Sequence, residues 1–353
     1  MAVICEWLCL DADGFHPVYV KNTVFKTEEE TEVTAYTEQE LDVMEMVDQM
    51  RKNRYITEKK YGSISSFNFT REAFYDKKWN KQTTKARGLF INTENGRIVA
   101  RSYDKFFNMN EMPETKFDML QHKLKFPVTA YVKENGFLGM VSYNPDTDDF
   151  FISSKSDPQG DFSAYMRSMF YQVGENLDEL KEYMKNNDVT FVFECVDMKN
   201  DPHIIKYDKS RLFLLDVVKN KMQFEKLPYS KLVQFEKFGF EVKKKAIQID
   251  NWTDFYNWYT EVTAEDYLYD GKEIEGFVVE DIVIFRITEQ PVIRKRLIIL
   301  PFGTGQKKCR KTILSLYQNR PLRMDGNLFG QSRSNEPWIT ILGQSQQRIC
   351  INL

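Results

Sequence analysis

Between residues 86 and 279, short apolar runs alternate with turn signals, and this rhythm restricts the fold more than any other feature of the chain. Residues 88–92 lead into Glu94-Asn95-Gly96, where Asn-Gly supplies the positive φ that a tight hairpin needs. Residues 128–143 read as strand on both sides of Asn135-Gly136, itself a good turn, and Asn144-Pro145-Asp146 then turns the chain into 149–154. Residues 189–196 and 212–218 are apolar enough for buried strands, and 276–279 begin one more. Helical spacing is interleaved with these runs. Thr37-Glu38-Gln39-Glu40 has the form of a capping box, with Leu41, Met44 and Val47 at helical intervals behind it, so 38–52 is predicted to be a helix. Residues 162–173 carry the same period, as do Leu177, Leu180, Tyr183 and Met184. Trp252, Phe255, Tyr256 and Tyr259 repeat it behind a cap at Asp250 or Asn251. Hairpins with helices between them predict an α+β fold of antiparallel sheets and flanking helices, not a doubly wound parallel sheet. The polar, aromatic-dotted stretch up to residue 85 gives no comparable signal.

A chain of 353 residues can bury a substantial core, and 42% apolar with 14% aromatic residues excludes a disordered polymer. The formal net charge of -3 excludes a simple basic coat for nucleic acid. It also conceals an asymmetry: residues 281–353 carry twelve Lys and Arg against four acids, whereas 1–280 carry 37 against 48. A nucleic-acid surface on the main body must therefore come from local clustering. Five cysteines without framework spacing point to a reducing compartment and to buried free thiols. No run approaches the length of a membrane span, and the first ten residues lack a basic start and a cleavage signal. A soluble, cytoplasmic monomer is expected.

Three charged residues stand out against this background. Lys133, in Lys133-Glu134-Asn135-Gly136, lies between two strand-like runs. Glu194 interrupts the apolar run Phe191-Val192-Phe193-Glu194-Cys195, and Glu275 precedes Gly276-Phe277-Val278-Val279. An acid in an apolar strand is costly to bury without a partner or a task. A lysine between strands is more often a solvated surface charge, but with two such acids behind it a chemical role becomes the better reading. An amine attacks the α-phosphorus of a nucleotide only when neutral, so a pocket that lowers the Lys133 pKa is expected. The pyrophosphate leaving group calls for a divalent cation held by a carboxylate.

These residues fall into a pattern that resembles the ATP-dependent RNA ligases of the phage RNA ligase 1 type, and also the ligase domain of fungal tRNA ligase. The resemblance covers residues 86–279 and is collinear. Ala86-Arg87-Gly88-Leu89-Phe90 is similar to the strand whose arginine contacts nucleotide phosphates, and Lys105-Phe106-Phe107-Asn108 resembles the segment beside the nucleotide site. Lys133 to Gly136 corresponds to the motif of the adenylated lysine, and Ser153-Ser154-Lys155-Ser156 to a serine-and-lysine segment after the next strand. Glu194 stands where the family binds ribose, and Glu275 where it holds the metal and assists adenylylation.

The resemblance implies a nucleotidyltransferase (ATP-grasp-like) fold, with 1–85 as the N-terminal portion of the adenylyltransferase domain. It makes 86–288 the nucleotidyltransferase core and 289–353 a basic C-terminal segment without predicted secondary structure. It implies ATP and Mg2+ or Mn2+, and an RNA substrate with 5′-phosphate and 3′-hydroxyl ends, healed by a polynucleotide kinase or phosphatase partner. One element departs from the pattern. The family's two phosphate-directed lysines have no counterpart in Phe285-Arg286-Ile287-Thr288, where Arg286 keeps a single cation of different geometry. Divergence, loss of activity and a reading-frame disturbance near residue 281 are the three explanations, and the poor periodicity of 281–353 favours the third. A non-catalytic RNA- or nucleotide-binding relative, a DNA ligase and a capping enzyme are the alternative functions.

Overall fold

The computed structural model describes residues 7–11, 14–18, 38–201, 205–264, 267–284 and 291–299. Thr37, Arg286 and residues 300–353, which enter the expectations above, lie outside the described residues.

A hairpin of β1 (Trp7–Asp11) and β2 (Gly14–Val18) precedes helix α1 (Glu38–Lys52), which has the predicted bounds. Its buried stripe is turned from the predicted one. Val43, Met46, Val47 and Met50 are buried, while Leu41 and Met44 are only half-buried. The helix packs on a four-stranded antiparallel sheet in the order β3 (Ile56–Tyr61), β4 (Ile64–Phe69), β5 (Leu89–Asn92), β6 (Arg97–Arg101). Two short helices, α2 (Arg71–Tyr75) and α3 (Lys81–Lys85), connect β4 to β5. The stretch before residue 86 thus hydrogen-bonds directly to the stretch after it. Gly96 closes the β5–β6 hairpin at φ +74°, and a Cβ there would come within 2.7 Å of the Glu40 carbonyl oxygen of α1. Only glycine meets both demands.

Two five-stranded sheets follow. Their strands are β7 (Phe107–Asn108), β8 (Val128–Lys133), β9 (Phe137–Asn144), β10 (Asp149–Ser154), β11 (Val189–Val196), β12 (Arg211–Lys219), β13 (Glu241–Val242), β14 (Lys245–Ile249), β15 (Gly276–Ile284) and β16 (Pro291–Ile299). One sheet runs β10-β9-β11-β12-β13 and the other β14-β8-β15-β16-β7. All pairings are antiparallel except β12–β13 and β16–β7.

Helices cover one face of each sheet. α5 (Asp161–Val173) and α6 (Leu177–Asn187) bury Met166, Phe170, Leu180 and Met184 against Phe191, Phe193, Leu212 and Leu214 of the first. α4 (Phe117–Lys123) and α7 (Trp252–Val262) set Leu120 and Phe255 against Val128, Ala130, Phe277 and Val279 of the second. Asn251 caps α7 by accepting from the Asp254 amide at 3.0 Å. Strand alternation sends the intervening residues, Lys133 and Glu280 among them, to the opposite face.

Two expectations need correction. Asn135-Gly136, read as a turn between strands, instead carries the chain from one sheet to another: β8 and β9 belong to different sheets, and the tetrapeptide that begins at Lys133 crosses between them. Residues 291–299, read as lacking secondary structure, form β16, bonded to β15 and β7.

Candidate active site

Lys133 ends β8 in register with Gly276, the first residue of β15. Glu275 therefore enters beside it, and the Lys133 Nζ stands 2.7 Å from Glu275 Oε2 with the two side chains 21% and 16% exposed. Glu194 comes from the other sheet, where it pairs with Leu138 and Phe213 in the ladder. Its Oε1 accepts from the Gly136 amide at 2.9 Å. This bond requires the loop to lie against β11. A Cβ on residue 136 would run into the carbonyl oxygen of Cys195, so only glycine fits. Lys133, Gly136, Glu194 and Glu275 are thus gathered at one point where the two sheets meet.

Arg87 lies close enough to act on Lys133 and Glu194, and Lys105 lies next to Arg87. Ser102 Oγ donates to the Arg87 carbonyl at 3.0 Å and fixes the turn that carries the arginine. The Arg87 guanidinium lies 5.8 Å from the Phe106 ring centre. Lys105 is held over the Phe107 ring at 4.1 Å, next to Trp79, and pairs with Glu111 Oε1 at 3.3 Å. Burial lowers the Lys105 pKa to about 8; the Glu111 carboxylate resists that shift and Arg87 and Lys155 add to it. Lys155, from the serine-and-lysine segment 153–156, joins the same group: burial and the charge of Arg87 both lower its pKa. Arg87, Lys105 and Lys155 interact with one another through their charges, and Arg87 in turn acts on both Lys133 and Glu194, while the Glu194 and Glu275 carboxylates act on Lys133.

The pKa of Lys133 departs from expectation. Burial pulls it down, but the Glu275 and Glu194 carboxylates outweigh burial and raise it above the ordinary lysine value. In this state Lys133 is a paired ammonium. Burial also raises the pKa of Glu194, against the opposing pull of Lys133.

Two further residues shape the loop. Asn135, 6% exposed, donates from Nδ2 to Glu275 Oε2 at 3.0 Å, the same oxygen that binds Lys133. Tyr207 accepts from the Asn135 amide at 2.7 Å and donates to Glu134 Oε2 at 3.0 Å. Asn135 was visible in the sequence only as a turn former. Tyr207 sits in a connection without periodicity, and no sequence signal marks it. Arg286, the remaining site expectation, lies outside the described residues.

Among the described residues no three His, Cys, Asp or Glu side chains converge as a metal cage. Magnesium does not need one, since it is commonly held by one or two carboxylates together with phosphate and water. Glu275, half-buried at the mouth of the cleft, fits that role.

A lysine and two glutamates gathered between two helix-backed, largely antiparallel sheets define a protein of the nucleotidyltransferase fold. A putative ATP-dependent DNA ligase from Aquifex aeolicus shares the fold at a TM-score of 0.52, with 14% identity over 78% of this chain and 67% of that one. Residues 85–290 match the RNA ligase family, and the chain belongs to it. The tRNA ligase of Candida albicans is 30% identical over 225 residues, which is 55% of this chain and 26% of that protein. tRNA ligase 1 of Schizosaccharomyces pombe is 30% identical over 213 residues, or 56% and 27%. The chain spans about a quarter of the length of these two relatives. Among the described residues no helix is long and apolar enough to cross a membrane.

Proposed function

We propose that this chain is an ATP-dependent RNA ligase that charges Lys133 with AMP and uses it to join a 5′-phosphate to a 3′-hydroxyl. The carrying observation is the charge around Lys133: two carboxylates act on its amine, and Arg87, itself linked to Lys105 and Lys155, acts on the same amine. A nucleoside triphosphate laid along this cleft meets Arg87, Lys105 and Lys155 with its phosphates and Glu194 with its ribose hydroxyls.

Lys133 Nζ, once it has given up its proton, bonds to the α-phosphorus, and the bond to the β-phosphate oxygen breaks to release pyrophosphate. An oxygen of the RNA 5′-phosphate then attacks the lysyl-adenylate; the P–N bond breaks and Lys133 recovers a proton. The 3′-hydroxyl attacks the activated 5′-phosphorus, loses its proton and expels AMP. Glu275 is the residue that would hold Mg2+ or Mn2+, which supplies charge neutralisation at the leaving phosphates when bound. Because Glu275 Oε2 also anchors Lys133, redirecting that carboxylate frees the amine to lose its proton. The division of labour with a kinase or phosphatase that heals RNA ends, and a cytoplasmic site of action, belong to the same reading.

Incubation with α-labelled ATP and magnesium tests this. A covalent AMP adduct, lost in Lys133→Ala, is expected. No adduct in the unaltered chain overturns the catalytic reading and leaves a nucleotide- or RNA-binding relative, the alternative favoured by the missing lysine pair around Arg286. Labelled GTP in place of ATP separates a capping enzyme.

A further inference from the structure

Four charged side chains, largely closed off from solvent, meet between the two five-stranded sheets. Asp216 is fully buried on β12, and Glu280 is 2% exposed on β15. Lys226 bridges them, 2.8 Å from Asp216 Oδ1 and 2.9 Å from Glu280 Oε2. Lys243 repeats the bridge, 3.0 Å from Asp216 Oδ2 and 3.6 Å from Glu280 Oε1. Both lysines are buried as well. Tyr103 donates to Asp216 Oδ2 at 2.8 Å.

The placement is built into the strands. The β11–β12 ladder slips at Leu215, pairing Val192 with Asp216 and Phe193 with Leu214. Such a bulge resets strand alternation, and it turns Asp216 away from the core that Leu214 and Val217 fill. Glu280 pairs with Thr129 two rungs from the Val278–Tyr131 pair, on the face of the second sheet that also presents Lys133.

Two acids and two lysines balance, but desolvating four charges is costly, and apolar side chains of equal volume would hold two sheets together at least as well. What ionic bridges add is a fixed separation, because N–O contacts tolerate little sliding. Each arm of the active site is tied to this point. Lys243 lies 4.1 Å from the ring centre of Tyr131, two residues before Lys133 on β8. Glu280 lies five residues after Glu275. β12 pairs with β11 so that Phe213 faces Glu194. Tyr103 packs edge-on against Phe106, the ring beneath Arg87, at 6.1 Å.

We propose that Asp216, Lys226, Lys243 and Glu280 are positioning residues for adenylyl transfer: together they set how closely the sheet bearing Glu194 approaches the sheet bearing Lys133. They touch neither nucleotide nor metal. The inference rests on the reading of the site as an adenylyltransferase.

The test uses the full chain with two charge-balanced pair variants. Lys226→Met with Glu280→Gln leaves the Lys243–Asp216 pair, and Lys243→Met with Asp216→Asn leaves Lys226–Glu280. Folding is followed by thermal melting, and adduct formation by rapid-quench kinetics with α-labelled ATP at varied concentration. The expected result is a saturating rate constant reduced about tenfold or more, since misplacement by an ångström suffices for that, with half-saturation by ATP moved by less than about threefold. Re-forming the bridge as Lys226→Arg, with Glu280 intact, is expected to recover part of the rate. Lower melting with an unchanged saturating rate overturns the inference and leaves a purely structural role, as does failure of both pair variants to fold. Absence of adduct in the unaltered chain overturns the reading of the site itself, and the inference with it.

Discussion

Glu275 immediately precedes β15 and Glu280 lies at its middle, and each is paired with lysine, yet the two ion pairs are different devices. At the mouth, the Lys133–Glu275 pair keeps about a fifth of its surface in water. At the closed end, Lys226 and Glu280 have almost none. Water at the mouth can solvate either partner when the pair separates, so the contact is exchangeable. At the closed end a separated charge has nowhere to go, and the contact is permanent. Exposure, rather than distance, decides which salt bridge can work and which can only hold.

The largest effect expected from this contrast is at the mouth. Lys133→Ala should reduce AMP adduct formation by at least about a thousandfold, as removal of a nucleophile does, with the melting temperature almost unmoved. A mutant that melts far below the parent would break the distinction. At the closed end the pattern reverses. Asp216→Asn strands two buried lysines beside a single carboxylate and should cost about 3–5 kcal/mol of stability, read from denaturant unfolding. Glu275→Ala should slow adduct formation by about a hundredfold, the scale of losing one electrostatic contact to the reacting group, without unfolding the chain. Sealing of RNA supplied already adenylated separates a first-step defect from a later one.

The smallest effect concerns Lys105. With a pKa of about 8 it is cationic below that pH and neutral above it. Phosphate favours the cation, so the dissociation constant for ATP should rise as pH passes through about 8 and beyond, severalfold per unit at most. Lys105→Arg should flatten the rise, because guanidinium stays charged. An equal slope in both proteins counts against Lys105 as a phosphate contact.

Much of this was legible in the sequence because it rests on periodicity and order. α1 and β11 have the expected bounds, and the structure brings Lys133, Glu194 and Glu275 together with Arg87 in reach and Lys105 next to Arg87. What escaped depends on tertiary partners. Asn135-Gly136 carries the local signature of a hairpin, and nothing local shows that its two flanks join different sheets. The raised pKa of Lys133 comes from carboxylates 61 and 142 positions away in sequence, which oppose the burial that was anticipated. Lys243 heads a run of three lysines, yet it alone of the three is buried. The buried stripe of α1 departs from its apolar spacing because Leu41 and Met44 are as apolar as the residues that do face the sheet.

The paired state of Lys133 has a consequence for the resting protein. An ammonium has no lone pair, so the most nucleophilic group of the site is inert toward stray electrophiles while Glu275 holds it. Reactivity appears only when an arriving ligand draws the carboxylate aside. The glutamate thus acts as a safety catch, and the same event that delivers the substrate arms the residue that attacks it.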